Sequence, residues 1–246
     1  MNKHVLMMRL FARFNSLYKS NFKLYQKLYY FYKNVSDRTL IGILKEYIQP
    51  GMYIVDIGAN IGFYTEILAK LTGQSGHVFA FEPHPDNFEK LAAKLQVLKN
   101  VTLIQGAVGE SNDKIQLYVS DDLNVDHRVY DTGSRRSQLT VDTYSLDSYL
   151  GEITKIDFIK MDIQGYEYFA IKGMRNLIAS NASIRLLFEY FPAGMELAGT
   201  SPKELVSELH SSGFTLEVVG GKVDIQTVLN TQTGPEQYYD LLAYRI

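Results

Sequence analysis

The sequence predicts an α/β chain built on a mostly parallel, seven-stranded sheet with helices on both faces and an N-terminal helical extension. Three observations carry this prediction. From Tyr53 onward, short apolar runs alternate with amphipathic stretches, the pattern of strand-helix units that build a parallel sheet. The stretch "YIVDIGANIGFYTEILAK" (53–70) passes from an apolar run into helix-like sequence through a turn bracketed by Gly58 and Gly62. Finally, 246 residues at 46% hydrophobic content supply the core of one such domain with an appendage, not of two complete domains.

The extension, residues 1–49, comes first. Within 1–36, Phe11, Phe14, Tyr18, Tyr25, Leu28 and Tyr32 recur at three- and four-residue steps, interrupted by Asn21, with Lys19, Lys23 and Lys27 on a neighbouring stripe. That spacing makes an amphipathic helix with an aromatic face. Residues 1–36 hold seven Lys or Arg and no acid, leaving 18 basic and 27 acidic side chains in the other 210 residues. A cationic appendage therefore adjoins an anionic body. An exposed aromatic face is an aggregation liability, so residues 1–36 are expected to dock on the body, on a second copy as a homo-oligomer contact, or peripherally at a membrane surface. No chemistry is expected of them.

The domain proper, 50–246, has strands near 53–57, 78–82, 101–105, 156–161, 184–189, 214–219 and 238–244, with helices near 62–72, 85–97, 167–179 and 201–212. Two stretches break the alternation, "KIQLYV" (114–119) and "QLTVDT" (138–143), and read as an added β-ribbon. Between them "SDDLNVDHRVYDTGSRRS" has no apolar periodicity, as befits a lid or binding loop.

Composition narrows the function. A net charge of −2 gives no reason to expect nucleic-acid binding. The absence of cysteine excludes disulfides, thiolate nucleophiles and cysteine zinc sites. The start reads as no secretory signal, and no segment approaches eighteen uncharged apolar residues. A cytoplasmic protein is expected, and the Asn-x-Ser/Thr matches at Asn34, Asn100 and Asn181 are read as chance.

The chemistry starts at the glycine turn. Twenty residues after Gly62 the second strand ends in "FAFEPHP" with Glu82. In an open α/β sheet ligands sit beyond the carboxyl ends of the strands, where such an acid can accept both hydroxyls of a ribose. A dinucleotide would need the middle glycine of G-x-G-x-x-G, which this turn lacks, and Asp56 would face its phosphates. S-adenosylmethionine instead brings an ammonium and a sulfonium, which a carboxylate attracts, while the amides near Asn60 to Phe63 can meet its carboxylate. The acid at the glycine turn thus argues for a cationic nucleoside ligand.

"VDIGANIGFYTEILAK", "VFAFEPHPDNFEKL", "NVTLIQGAVGE", "LDSYL" and "IDFIKMDIQGYEYFAIKGM" together resemble, in order and spacing, the FkbM family of S-adenosylmethionine-dependent methyltransferases, over about residues 50–190. The resemblance implies a Rossmann-like class I methyltransferase fold and O-methylation of hydroxyls on sugars or natural products. It implies that Asp56, Gly58, Asn60 and Gly62, with Ala59, line the methionine end of the cofactor. Glu82, followed by Pro83, would hold the ribose, and Gly106 with Ala107 would border the adenine. Where the family commonly reads Asp-Val-Glu-Gly-Ala-Glu, this chain reads "DIQGYE": Asp162, Gly165 and Glu167 match, while Gln164 replaces an acid and Tyr166 a small residue.

Asp162 also has a physical case of its own. It ends the strand "IDFIKMD", whose carboxyl edge shares the cleft with the nucleoside, and a sugar hydroxyl needs a proton acceptor as it attacks the methyl carbon. Asp162 is the first candidate for base or acceptor orienter, against a helix-capping Asp. Glu189, closing "IRLLFEY", could pair with it to clamp the acceptor; a Mg²⁺ site on two acids is not expected. Glu167 and His127 complete the catalytic candidates. His84 reads as a loop residue beside the ribose, and Arg135 and Arg136 as a solvated pair or a grip on an anionic acceptor. The competing functions are a nicotinamide-dependent oxidoreductase and a non-catalytic binding protein on the same fold.

Overall fold

The computed structural model describes residues 16–120, 127–131, 136–151, 153, 155–221, 223–230, 234 and 237–246. Seven strands form the main sheet in the order β3-β2-β1-β7-β8-β10-β9. They are β1 (Tyr53–Ile57), β2 (His77–Glu82), β3 (Val101–Gln105), β7 (Phe158–Met161), β8 (Arg185–Tyr190), β9 (Thr215–Val218) and β10 (Tyr239–Tyr244). β10 runs antiparallel to both its neighbours, and β1, β2, β3, β7 and β8 pair in parallel. The ribbon is a second, three-stranded sheet in which β5 (Asp113–Val119) pairs antiparallel with β6 (Ser137–Tyr144), and β4 (Ala107–Val108) lies on the other side of β6. Strand order reverses between β1 and β7, so the carboxyl edge there is the crevice where open α/β sheets bind ligands.

Three helices, α1 (Ser16–Ser20), α2 (Phe22–Ser36) and α3 (Arg38–Tyr47), precede β1. Asn21 breaks the first two apart because its side chain accepts from the Leu24 amide and caps α2. The buried aromatic set is Tyr18, Tyr25 and Tyr29. Leu28 and Tyr32 are only half-buried, and Phe11 and Phe14 lie outside the described residues. Tyr29 and Tyr30 stand edge-on to Phe63, the first residue of α4 (Phe63–Thr72), at 6.3 and 5.0 Å. The Tyr18 hydroxyl donates to Asn87 in α5 (Pro85–Leu95), 2.7 Å away. Tyr18, Tyr25 and Tyr29 are thus covered within the same chain, and the Lys19, Lys23 and Lys27 stripe is left exposed. Each such buried aromatic contributes roughly 1.5–3 kcal/mol. No described helix is long and apolar enough to cross a membrane.

The expected helix over 167–179 is two, α7 (Glu167–Lys172) and α8 (Arg175–Ser180), which follow the short α6 (Leu146–Tyr149). The Gly173 carbonyl accepts from the Asp147 amide and the Ser145 hydroxyl, while the Asp147 carboxylate caps the amides of Asn176 and Leu177. The 145–147 segment therefore ends one helix and starts the next. The remaining helices are α9 (Pro192–Leu197), α10 (Pro202–Ser211) and α11 (Ile225–Asn230).

Side chains alternate across a strand, and the register assigns the two faces. Ile54, Phe158, Leu187 and Leu242 pack under Tyr25, Tyr29 and Tyr64, on the face that carries the N-terminal helices. Val55, Ile57, Ile159, Met161, Leu186 and Phe188 pack into the opposite layer.

Candidate functional site

The turn after β1 is held by backbone geometry. Gly58, Asn60 and Gly62 have φ of +81°, +51° and +86°, in the left-handed region that disfavours side chains. A Cβ on Gly58 would strike the Asp162 carbonyl oxygen, so a glycine is what lets the turn of β1 touch the end of β7. The amides of Gly58 and Ala59 donate to the Phe81 carbonyl at 3.0 and 2.9 Å.

Glu82 ties this turn to β2. Its carboxylate accepts from the Asn60 amide at 2.8 Å and from the His84 amide at 2.9 Å, and its own carbonyl accepts from Gly106. Glu82 is 5% exposed, and burial pushes its pKa up to about 7 against the lowering effect of the His84 and Asn60 amides, Asn87 and Lys160. Glu82, Gly58 to Gly62, half-buried Pro83 and buried Gly106 and Ala107 are thereby gathered around the ends of β1, β2 and β3.

Asp56 is placed differently from the sequence expectation of a carboxylate facing a ligand. It is fully buried, receives the Thr65 hydroxyl at 2.7 Å, and pairs with Lys160 at 3.4 Å. Lys160 is its register partner on β7 and also donates to the Gly58 carbonyl at 3.3 Å. Sequence reading passed Lys160 over; a single lysine inside the apolar run "IDFIKMD" is the signal that could have found it. The Asp56 oxygen that makes no hydrogen bond, Oδ1, is the one that faces Lys160 at 3.4 Å, so the carboxylate's charge is already met by a lysine of the same chain.

Across β7, β8 and β10 the carboxyl edge carries a second group of residues. Met161 pairs with Phe188 and Glu189 with Asp240, so Asp162, Glu189 and Asp240 stand in one row on the face of the N-terminal helices. Gln164, at φ +57°, donates from one side-chain nitrogen to Asp162 (3.1 Å) and to Glu189 (2.9 Å). Gln164, one of the two departures from the family pattern, therefore bridges two carboxylates that would otherwise repel. Its carbonyl accepts from the Tyr130 hydroxyl at 2.6 Å, which seats part of the 120–137 loop over this turn. Burial, and then Asp162, Glu167 and Asp240, push Glu189 well above the usual carboxylate range. Asp240 rises to about 7, by burial and then by Asp162 and Asp37.

Two catalytic candidates fall elsewhere. Glu167 is fully buried and accepts from the Ile163 amide at 3.1 Å; burial raises it to about 8, and it braces the 162–166 turn instead of facing an acceptor. His127 stacks on His84 with ring centroids 4.1 Å apart and accepts from the Ser120 amide. Burial, with His84 and Arg136, lowers it to about 3, which makes it a poor base at neutral pH. It belongs with the Glu82 end. Arg135 lies outside the described residues, and Arg136 is half-buried. No cluster of three or more His, Asp or Glu among the described residues is arranged to hold a metal ion.

Comparison with known proteins identifies the family and the fold. Residues 56–216 match the model of the methyltransferase FkbM domain. The chain is 26% identical over 186 residues to the hexuronic acid methyltransferase AglP of Haloferax volcanii, covering 74% of this chain and 71% of that protein. It is 28% identical over 155 residues to the ribosomal RNA large subunit methyltransferase E of Neisseria meningitidis, covering 62% of this chain and 66% of the relative. Among solved structures, an rRNA methylase from Streptococcus thermophilus aligns with TM-score 0.50 at 16% identity, over 84% of this chain and 93% of that one. A precorrin-6y C5,15-methyltransferase from Geobacter metallireducens aligns with TM-score 0.50 at 15% identity, over 84% and 88%. These two show a shared fold.

Proposed function

The chain belongs to the FkbM family of S-adenosylmethionine-dependent methyltransferases, and from that premise we propose that it methylates a hydroxyl of a sugar or glycan acceptor. The observation that carries the reading is the row of Asp162 and Glu189, bridged by Gln164, immediately beside the glycine turn. Carboxylates and amides are the groups that hold vicinal hydroxyls. The likeness to a hexuronic acid methyltransferase supports a sugar, and the anionic body disfavours the polyanionic acceptor of the rRNA relatives.

S-adenosylmethionine, when bound, supplies an electrophilic methyl group on sulfur. The chain's residues do the rest. Glu82 would accept the ribose hydroxyls, the Gly58 to Gly62 turn would border the methionine end with Asp56 and Lys160 behind it, and Gly106 with Ala107 would border the adenine. Asp162 would orient the acceptor hydroxyl and accept its proton as that hydroxyl is methylated. Glu189, raised well above the usual carboxylate range, is a hydrogen-bonding partner and not the base. The 1–49 segment stands apart in this reading as an extension of a methyltransferase domain over 50–246.

The test is a methyl-transfer screen over neutral and acidic glycosides, read by a 14 Da mass gain, beside calorimetric titration with S-adenosylhomocysteine. Asp162→Asn should lower turnover by about 10² or more and leave cofactor affinity intact. Turnover that survives the substitution would make Asp162 structural. Cofactor binding with no transfer to any hydroxyl would favour a binding protein on this fold.

A further inference from the structure

α2 is apolar on two sides, and only one of them is turned to the body. Tyr25 and Tyr29, one turn apart, are buried against it. Leu24, Leu28, Phe31 and Val35 recur at steps of four, three and four residues and make a second ridge along the same helix. Leu28 is half-buried, while Leu24, Phe31 and Val35 are 43, 72 and 53% exposed. Three large apolar side chains in one line are more than the scatter of single exposed residues that any surface shows.

The cations beside the ridge decide what covers it. Lys27 stands three residues after Leu24 and four before Phe31, so it neighbours both on the helix surface, and Lys23 lies one turn further back. Both are exposed, as is Lys19 in α1. Asp37, the first acid of the chain, is taken up by its ion pair with Lys33 and by the Tyr64 hydroxyl, so it does not offset the stripe. The sequence before α1 adds Lys3, Arg9 and Arg13 and no acid.

We propose that the outer face of α2 is a docking surface for an anionic lipid bilayer: Leu24, Phe31 and Val35 enter the headgroup boundary, and Lys19, Lys23 and Lys27 meet the lipid phosphates. An apolar ridge flanked by lysines is the pattern of a helix lying in a membrane interface, and each lysine near an anionic leaflet strengthens the attraction. The seat is peripheral, since no described helix is long and apolar enough to cross a membrane. Residues 1–36 carry seven basic and no acidic side chains against 18 and 27 in the rest of the chain. An anionic surface therefore draws the extension and repels the body, which orients the protein on it. A second copy is the poorer occupant. A two-fold pair sets a patch against itself, so the lysines would meet lysines with no acid of residues 1–36 to relieve them.

The chain holds no tryptophan, so Phe31→Trp in the full chain places a single fluorescent reporter on the ridge. With vesicles of equal parts phosphatidylglycerol and phosphatidylcholine its emission should shift to the blue, and high salt should reverse the shift. Vesicles of phosphatidylcholine alone should leave it unchanged. In vesicle sedimentation, Lys23→Gln with Lys27→Gln should lower partitioning by about tenfold or more, and Phe31→Ser by about tenfold. The substituted side chains are exposed, so thermal unfolding and S-adenosylhomocysteine affinity should match the unsubstituted protein, and lost partitioning then reports the face and not the fold. Emission unmoved by the anionic vesicles, or partitioning indifferent to either set of substitutions, overturns the proposal. So does a doubled mass by light scattering that Phe31→Ser returns to one chain, which would give the ridge to a second copy.

Discussion

The two halves of the carboxyl edge are built in different ways. On the β1, β2 and β3 side, glycines, backbone amides and one carboxylate make the site: Glu82 is held by two main-chain amides, and the turn is set by three positive φ angles. On the β7, β8 and β10 side, side chains make it: Asp162, Glu189 and Asp240 stand in one row, and the Gln164 amide bridges the first two. Backbone sites depend on the local chain path and tolerate neighbouring substitutions. Side-chain sites are retuned by any one member. That division suits an enzyme whose methyl donor is fixed and whose acceptor must be selected.

The largest effect is expected where the halves touch. Gly58→Ala places a methyl group against the Asp162 carbonyl at a φ of +81°, combining a steric clash with backbone strain. We expect roughly 3 kcal/mol or more of lost stability, read by urea unfolding, together with loss of S-adenosylhomocysteine binding. A stable, binding-competent Gly58→Ala protein would show that the two halves are not in contact.

A smaller effect should be confined to the side-chain half. Gln164→Glu removes the amide that donates to Asp162 and Glu189 and sets a third acid between them. The cost should be about 2 kcal/mol at pH 8, the scale of lost charge-assisted hydrogen bonds. The new acid would have a raised folded-state pKa, so its stability is retained below the ordinary carboxylate range and lost as pH rises. The deficit should shrink toward pH 5, while cofactor affinity at pH 8 stays unchanged. Weaker cofactor binding at pH 8 would merge the halves electrostatically.

The same division explains what the sequence made legible. The backbone half is local: Asp56, the glycines and Glu82 fall within 27 consecutive residues, and strand-turn-helix chemistry follows from their spacing. All seven strands of the sheet were readable for the same reason. In the side-chain half Asp162 and Glu189 could be read as acids at strand ends, but their relation to Asp240 depends on β10 inserting antiparallel between β8 and β9. Nothing in "YYDLLAY" signals that pairing beyond one acid in an apolar run. Which face of α2 is buried was also hidden, because the direction in which α2 docks is set by Tyr25 and Tyr29 meeting Phe63 and Tyr64. The Asp56 environment was misread because its counter-ion is 104 residues away on β7.

The smallest effect is a pH dependence that should appear in the backbone half alone. Glu82 titrates near 7 because burial disfavours its charge, and only the ionised form accepts hydrogen bonds from both ribose hydroxyls. S-adenosylhomocysteine affinity should therefore weaken by about tenfold at pH 6 relative to pH 8, about 1.4 kcal/mol. Stability should move the opposite way. A carboxyl whose folded pKa is raised from 4.5 to about 7 contributes stability that is full below about 4.5 and is lost as pH rises through 7, so the ligand-free protein gains from this group on acidification while binding falls. That opposition separates titration of Glu82 from acid unfolding, which would weaken both together. His127, lowered to about 3, keeps its charge state through this window. Asp240 titrates in the same range but belongs to the other half, so Asp240→Asn should leave the slope of affinity against pH unchanged, and Glu82→Gln should abolish it. Calorimetry at three pH values on the three proteins decides the point: a slope that follows Asp240 would place the ribose on the side-chain half and reverse the assignment of the two sites.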